Sequence, residues 1–545
     1  MGIPENVNLQ NEQPNAQQPL VEALPAKPLF ALNKSNIAFI ICALFGSVFS
    51  ALFGIFSGFA LGYSLTIILL TTLFVVFLAK RGNLRVFPII CGIITICNSL
   101  VFICTSNSSV RFFSVLISFL SALICFDGIA NGKASGNRNT IGIFYSAAST
   151  LGNIGVTLKS IFCGGDKNKK SFLKALIGLA FALPVLAVVM PLLISSDEAF
   201  SGMMNSIFEN TFSTIAKIIF GISISILVIP YGLSLKDGRI AKMPKGKFKG
   251  IESIYIISFL SAIAVCYLLY LFSQLAYFFS AFKGFLPEGD ITYAQYARKG
   301  FFEMCAIAVI NLIIVFTAWF IAKKKKGKAN VGIQIITTFI AVFTLVIIAT
   351  AISKMVLYIS TFGMTVLRLT TSAFMLFLAI VFIGVICKIF IKKINLVKAS
   401  IISAALIVLL LGTVNVNGFC AKYNYENYTA QRLENIDVKA MYNLGDEGIP
   451  YLVNLAKSDN NDISYQAEKY LSRAYMFDYF EGLQNTAYFS SEELDKCRKY
   501  SGFDSYSIPK EQAYNALYDY IKENPGFCYI CQDYYKDNYP RFGLW

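Results

Sequence analysis

Long apolar stretches alternate with short polar ones along most of this chain, and the pattern predicts helices that cross a membrane. An α-helix rises about 1.5 Å per residue, so about 20 apolar residues cross a hydrocarbon core of about 30 Å. Eleven such stretches predict an all-α fold, a polytopic helical membrane bundle of about 11 spans. They are residues 37–57, 61–79, 86–104, 112–130, 175–195, 212–234, 253–280, 300–322, 332–352, 371–391 and 397–415.

The polar loops between these stretches differ in charge. If the spans alternate in direction, 27 Lys and Arg residues fall on one side of the membrane and seven on the other. Loops that stay in the cytoplasm carry an excess of Lys and Arg. The asymmetry therefore predicts a multi-pass protein of the cell membrane with a cytoplasmic N-terminus and an extracytoplasmic C-terminus.

Two segments flank the transmembrane domain, which is predicted at residues 34–415. Residues 1–33 are rich in Asn, Gln and Pro, and we expect a disordered cytoplasmic arm. Residues 416–545 are rich in Tyr and carry a net charge of −6, against +21 for residues 1–415. Helix-capping signals recur in this last segment, so we expect a small helical extracytoplasmic domain through which a protein partner could bind.

Composition narrows the chemistry. The chain is 56% hydrophobic with a mean hydropathy of +0.60, which predicts contact with membrane lipid. It has no histidine, which excludes Ser-His-Asp and Cys-His nucleophiles and His-ligated zinc or haem. Cys528 and Cys531 form one close pair, whereas a four-cysteine zinc site has two such pairs. A disulfide bond is the alternative for these cysteines, because the tail is predicted to lie outside the cell. No catalytic residue, metal or cofactor is predicted, and no nucleic-acid binding, because the basic clusters lack interleaved aromatic residues.

Two loops contain amphipathic stretches. Residues 197–212 carry apolar side chains at helical spacing, which predicts a helix lying flat on the outer surface. A weakly charged stripe on the cytoplasmic side suggests a second helix of this kind. It consists of Ile141, Phe144, Ala148, Leu151 and Leu158. The alternative for both is a helix packed beneath a neighbouring loop.

Charged residues gather where the predicted spans reach the outer surface, and this rim is the candidate binding site. We expect Arg298, Glu303 and Arg368 to converge in an outward-facing polar pocket for an anionic or lipid-linked ligand. Arginine suits this role because its guanidinium binds carboxylate or phosphate through paired hydrogen bonds. The alternative is that these groups snorkel or form ion pairs between spans. The rim also includes Asp197, Glu198, Asp290 and Lys299.

Three parts of the chain together resemble one family. They read ITYAQYARKGFFEM at 291–304, LYISTFGMTVLRLTTSAF at 357–374, and FCAKYNYENY with LGDEGIPYLVNLA at 419–428 and 444–456. These sequences are similar to those of the bacterial multi-pass membrane proteins of the domain of unknown function 4173 family. Val366 departs from it, because the family usually has Arg there. The resemblance implies a cell-membrane protein, of a Gram-positive bacterium, and brings no established activity.

Three function classes follow. Sparse ionisable residues within the spans and the lack of a catalytic constellation favour a non-enzymatic envelope scaffold, sensor or partner subunit. The alternative is a transporter or flippase for an anionic or lipid-linked substrate, which would use the outer rim. A third possibility is a membrane-embedded transferase acting on a lipid-linked substrate, with Glu303 or Asp290 as the base.

Overall fold

The structure is a computed structural model that describes residues 29–55, 60–79, 85–131, 140–163, 198–241, 250–282, 301–323, 330–391, 394–475, 505–524 and 527. These residues form 17 α-helices and no strand; Ile251 and Ala322 make one isolated parallel bridge. The helices are α1 (Lys34–Phe49), α2 (Leu61–Ala79), α3 (Val86–Cys104), α4 (Ser108–Asn131), α5 (Thr140–Ser149), α6 (Ile154–Cys163), α7 (Glu198–Asp237), α8 (Ser253–Phe282), α9 (Phe301–Ile321), α10 (Val331–Phe362), α11 (Val366–Phe390), α12 (Leu396–Thr413), α13 (Val416–Thr429), α14 (Val438–Tyr442), α15 (Ile449–Ala456), α16 (Asn461–Arg473) and α17 (Ile508–Glu523).

Ten of these helical stretches are long and apolar enough to cross a membrane. They comprise α1 with its π-helical extension Ser50–Ile55, α2, α3, α4, and parts or all of α7 to α12. The all-α polytopic fold is thereby confirmed, together with ten of the eleven predicted spans. The remaining one, at 175–195, lies outside the described residues.

The spans pack as two bundles joined by one helix. The first contains α1 to α4 and α7 around buried aromatic side chains, where the Phe39 and Phe77 rings stack at 3.9 Å. The second contains α8 to α11 around Phe343, Met375 and Phe382. Helix α12 packs against α3 and α4 on one side and α11 on the other. Among the described spans, α12 thus contacts both bundles.

Hydrogen bonds between spans use the few polar residues that the hydrophobic stretches contain. In the second bundle, Asn311 donates to the Thr344 hydroxyl at 2.9 Å and accepts from the Tyr267 hydroxyl. In the first, Ser114 of α4 donates to the Asn98 carbonyl of α3 at 2.6 Å. Such bonds contribute about 0.6 kcal/mol each on average. The value is small, although lipid offers polar groups no partner, because the same groups find other hydrogen-bond partners in the unfolded chain.

The two ends of the spans differ in charge. Lys34 begins α1, Arg85 precedes α3 and Lys236 lies in the last turn of α7 at one end, which we call the basic end. Lys236 donates to Asn36 at 2.7 Å, so α7 runs antiparallel to α1. The opposite end contains the α3–α4 and α10–α11 loops and the C-terminus of α12. The described residues after 415, which we call the tail, begin there. We therefore call this end of the spans the tail end.

The structure corrects the prediction of a flat surface helix at 197–212. Helix α7 runs without a break from Glu198 to Asp237 and includes the span Thr214–Asp237. No Gly or Pro occurs between residues 203 and 220, so nothing stops the helix where the surface segment was expected to turn into the span. Residues 198–213 therefore prolong the span.

Close contact between α1 and α7 depends on glycine. A Cβ atom at Gly221 would lie 2.6 Å from the Val48 Cα and 2.9 Å from the Ser47 carbonyl oxygen. Both are backbone atoms that cannot move aside as a side chain could. Small residues allow membrane helices to approach in this way.

We expect Gly221→Ala to lower the free energy of unfolding by about 1–3 kcal/mol, the usual range for overpacking a tight contact. Gly155→Ala is the matched control, because its Cβ would meet no atom within 4 Å; alanine in that helix should be neutral or stabilising by up to about 1 kcal/mol. Thermal unfolding of the detergent-solubilised chain measures both. Equal midpoints would contradict the close approach of α1 and α7.

Candidate functional site at the tail end

The tail shares one hydrophobic core with the spans. Val101 of α3, Val110 of α4 and Met364 of the α10–α11 loop pack with Cys420 and Leu452 of the tail, and all are at most 9% exposed. Burial raises the pKa of the Cys420 thiol to about 12. The tail is therefore seated on the end of the bundle and excludes water from the contact.

A buried carboxylate lies at the centre of this contact. Glu447 is 5% exposed and comes from the 3₁₀ turn Gly445–Gly448, ahead of α15. Its Oε1 accepts from the Ser106 amide at 2.8 Å and the Thr105 hydroxyl at 3.2 Å, while its Oε2 accepts from the Ser106 hydroxyl. The α3–α4 loop thus supplies three donors to one carboxylate of the tail. We call this group the Glu447 junction.

Arg111 adds a positive charge beside the junction. Its Nε donates to the Thr105 carbonyl at 2.7 Å and its Nη2 to the Phe102 carbonyl at 3.2 Å, at the C-terminal end of α3. Both Asp446 and Glu447 interact with it electrostatically. The guanidinium fixes the loop that holds Glu447 and offsets part of the negative charge, a favourable position for a cation at a helix C-terminus.

Asn417 extends the junction on the tail side. Its Nδ2 donates to the Leu444 carbonyl at 2.7 Å, and its Oδ1 accepts from Asn107 at 2.7 Å. Asn107 in turn accepts from the Val110 amide at 2.9 Å in the first turn of α4. The network therefore joins α13, the turn before α15 and the start of α4.

A second contact joins the tail to the other bundle. Asn424 of α13 accepts from the Met364 amide at 2.7 Å and donates to the Met364 carbonyl at 2.8 Å. Gly363, with a φ of +76°, lies so close that a Cβ would be 2.7 Å from the Asn424 Oδ1. Only glycine combines this left-handed backbone with the close approach. Both bundles thus bind the same tail helix.

A third contact reaches α2. The Leu61 amide, at the start of that helix, donates to the Tyr506 carbonyl at 3.1 Å. Residue 506 lies just before α17, whose Leu517 and Tyr520 are buried in the shared core. The tail therefore touches three separate loops of the tail end.

The predicted rim residues lie in several places. Asp197, Asp290, Arg298 and Lys299 are outside the described residues, and only the backbone of Glu198 is described. Glu303 is exposed in the first turn of α9, and its charge faces the half-buried Lys354 of α10. Arg368 instead donates to the Phe362 and Gly363 carbonyls, and its guanidinium lies 4.0 Å above the Tyr358 ring. Their convergence around a ligand stays a prediction.

Sequence reasoning missed the Glu447 junction. Asn424 and Glu447 fall within the two tail segments that carried the family resemblance, and Asn417 lies two residues before the first of them. The sequence offered only a weak signal: Glu447 and Asn417 lie close to apolar residues that are buried, and a buried polar group needs a partner. The partners, residues 105–107 and 364, could not be identified because they lie 60 to 342 positions away.

The junction has the chemistry of a joint. The described hydrogen bonds of Glu447 join the tail to the α3–α4 loop. A buried carboxylate with three donors from the α3–α4 loop and one from Asn417 of α13 holds two segments in register. What the arrangement does physically is to fix the tail on the spans.

The fold and the junction define a class: a polytopic helical membrane protein whose tail is seated on one end of its spans. Within that class, a family model described as Domain of unknown function (DUF4153) matches residues 92–455, so the chain belongs to this family. The predicted assignment to family 4173 is not confirmed, although both are families of unknown function. No curated protein and no solved structure matches the chain.

Glu447→Ala should lower the free energy of unfolding of the tail by about 3–5 kcal/mol, the range for removing one partner of a buried charged network. Glu447→Gln should lower it less, because the amide oxygen can still accept from the Ser106 amide. The measurement is limited proteolysis of the tail combined with thermal unfolding.

Glu426→Ala is the control, because Glu426 forms an exposed pair with Lys422 at 3.7 Å on the same tail. Such pairs contribute about 1 kcal/mol at most. If Glu447→Ala and Glu426→Ala left the tail equally resistant to protease, the junction would have no stabilising role.

Proposed function

We propose that the chain is a non-enzymatic subunit of a bacterial cell envelope, a scaffold or sensor that holds its helical tail outside the membrane for a protein partner. The observation that carries this is the seating of the tail: a buried carboxylate and a shared core fix it to both bundles. Burying a charged group is unfavourable unless all its hydrogen bonds are made. A tail that was only a flexible tether would not need such a group in its contact with the spans, whereas a tail held in one position can satisfy it.

Charge supports the orientation. The basic end carries Lys34, Arg85, Lys236 and Lys388, and the tail joins the opposite end. Because Lys and Arg are retained on the cytoplasmic side, the basic end belongs in the cytoplasm and the tail outside. The acidic net charge of residues 416–545 agrees with this assignment.

The exposed face at the start of α16 is the best partner surface in the described tail. Asp459, Asp462 and Tyr465 are exposed there, and Tyr465 is 63% exposed. Aromatic residues contribute strongly to interfaces, and neighbouring carboxylates select a basic partner. The buried side of the same helix, with Ala467 and Leu471, belongs to the shared core.

A photoreactive amino acid at Tyr465 tests this proposal in living cells. We expect one protein adduct of defined mass, lost when Glu447→Ala releases the tail. Lys422 is the matched position, since its side chain is 59% exposed on a different helix, and it should give no such adduct. A reporter fused after Trp545 and active only outside the cytoplasm verifies the orientation.

The second candidate, a transporter or flippase for an anionic or lipid-linked substrate, is favoured by one observation. At the tail end of the second bundle, Glu303 of α9 interacts electrostatically with the half-buried Lys354 of α10. Vesicles that contain the purified chain and a fluorescent lipid distinguish the two. Movement of the lipid across the bilayer, with no adduct at Tyr465, would overturn the scaffold in favour of the flippase.

A further inference from the structure

Helices α5 and α6, with the 3₁₀ turn Thr150–Asn153 between them, have their polar side against the protein. Five hydroxyl or amide side chains follow one another at helical spacing, and all are at most 4% exposed. They are Ser146, Thr150, Asn153, Thr157 and Ser160. A helix on the surface of a water-soluble protein has the opposite arrangement.

The buried polar side chains are all bonded. Asn153 donates to the Ser234 hydroxyl at 3.0 Å and to the Arg239 carbonyl at 3.1 Å, and Ser160 accepts from the Phe30 amide at 2.9 Å. The other three bond carbonyls of their own helical turns. The polar side is thus a specific protein contact.

The opposite side is apolar and exposed. Phe144 is 40% exposed, Leu151 52% and Leu158 36%, and Ala148 and Gly155 lie between them on the same stripe. Lys159 is exposed beside Leu158. We call these residues, from Phe144 to Leu158, the α5–α6 stripe.

The contacts of α5 and α6 place them across the basic end. Ser234, Arg239 and Ala241 lie at or just beyond the end of α7, and Phe30 lies just before the start of α1. At the same end, large apolar side chains of the spans face outward: Val86 is 75% exposed, Phe320 72% and Phe390 76%. The stripe is therefore exposed at the same end of the spans as these outward-facing apolar side chains.

We propose that the α5–α6 stripe lies in the acyl-chain boundary of the membrane leaflet at the basic end, with anionic phospholipid headgroups beside Lys159. Amphipathic helices bind in this way, with apolar side chains below the headgroups and basic ones among them. The inference goes beyond the proposed partner function and does not depend on the orientation of the chain.

Depth-resolved quenching of a single tryptophan tests it. The chain has two tryptophans, Trp319 and Trp545, so the parent is the full chain with both replaced by phenylalanine, in vesicles of phosphatidylcholine and phosphatidylglycerol. Leu151→Trp reports on the stripe. Leu69→Trp, 54% exposed at the middle of span α2, is the hydrocarbon control, and Tyr465→Trp, 63% exposed on the tail, is the water control.

We expect lipids brominated near the headgroup to quench Leu151→Trp at least half as strongly as deeply brominated lipids quench Leu69→Trp, while acrylamide quenches it little. Acrylamide quenching equal to that of Tyr465→Trp would put the stripe in water and overturn the proposal. Resistance to both quenchers would show that another part of the chain or a second copy covers it, which also overturns it.

Photoreactive phospholipids provide a measurement on the unaltered chain. A probe in the upper part of the acyl chain should modify the peptide that contains Phe144 to Leu158, as it modifies lipid-facing span peptides. Absence of modification there, with the spans modified, would contradict the proposal even if the tryptophan variants did not fold.

Discussion

The structure depends on a charge that is kept out of water. Glu447 carries a carboxylate into the contact between tail and spans, where an unbonded ion would be unstable by several kcal/mol. The Ser106 amide and hydroxyl and the Thr105 hydroxyl replace the water that it loses. Because three donors come from one short loop, the carboxylate is satisfied in only one position of the tail. The junction therefore specifies position more than it adds stability.

Elsewhere the membrane imposes a different rule. Between spans there is no hydrophobic driving force, so close packing and hydrogen bonds hold the helices. Gly221 allows the backbone contact of α1 and α7, and Asn311 bonds α9 to α10. The contact between the tail and the tail end of the spans is different, because burial of apolar side chains away from water favours it. The shared core around Cys420 and Leu452 contains these side chains.

Much of the fold was predictable because its determinants are local. The hydropathy of 20 or so consecutive residues fixes a span whatever its neighbours are. The error at 197–212 arose where two patterns met without a Gly or Pro to separate them. Pairings such as Glu447 with Ser106, 341 residues apart, depend on how the helices pack, and a single sequence does not reveal that packing.

The structure shows what the two tail segments that resembled a known family do physically. One contains Asn424, the other Glu447, and each binds a loop at the end of the spans. The segment around Gly363 and Met364, part of the third region of resemblance, is the partner of Asn424. Residues far apart in the chain thus meet in one contact surface.

Hydrogen exchange at the Ser106 amide tests the central claim most directly. This amide lies in a three-residue loop between two spans, where exchange with solvent would ordinarily be fast. If it donates to the buried Glu447 carboxylate, mass spectrometry of the loop peptide should show slow exchange in the intact chain and fast exchange in Glu447→Ala. Fast exchange in the intact chain would contradict the account, because the tail would then not be seated on the spans.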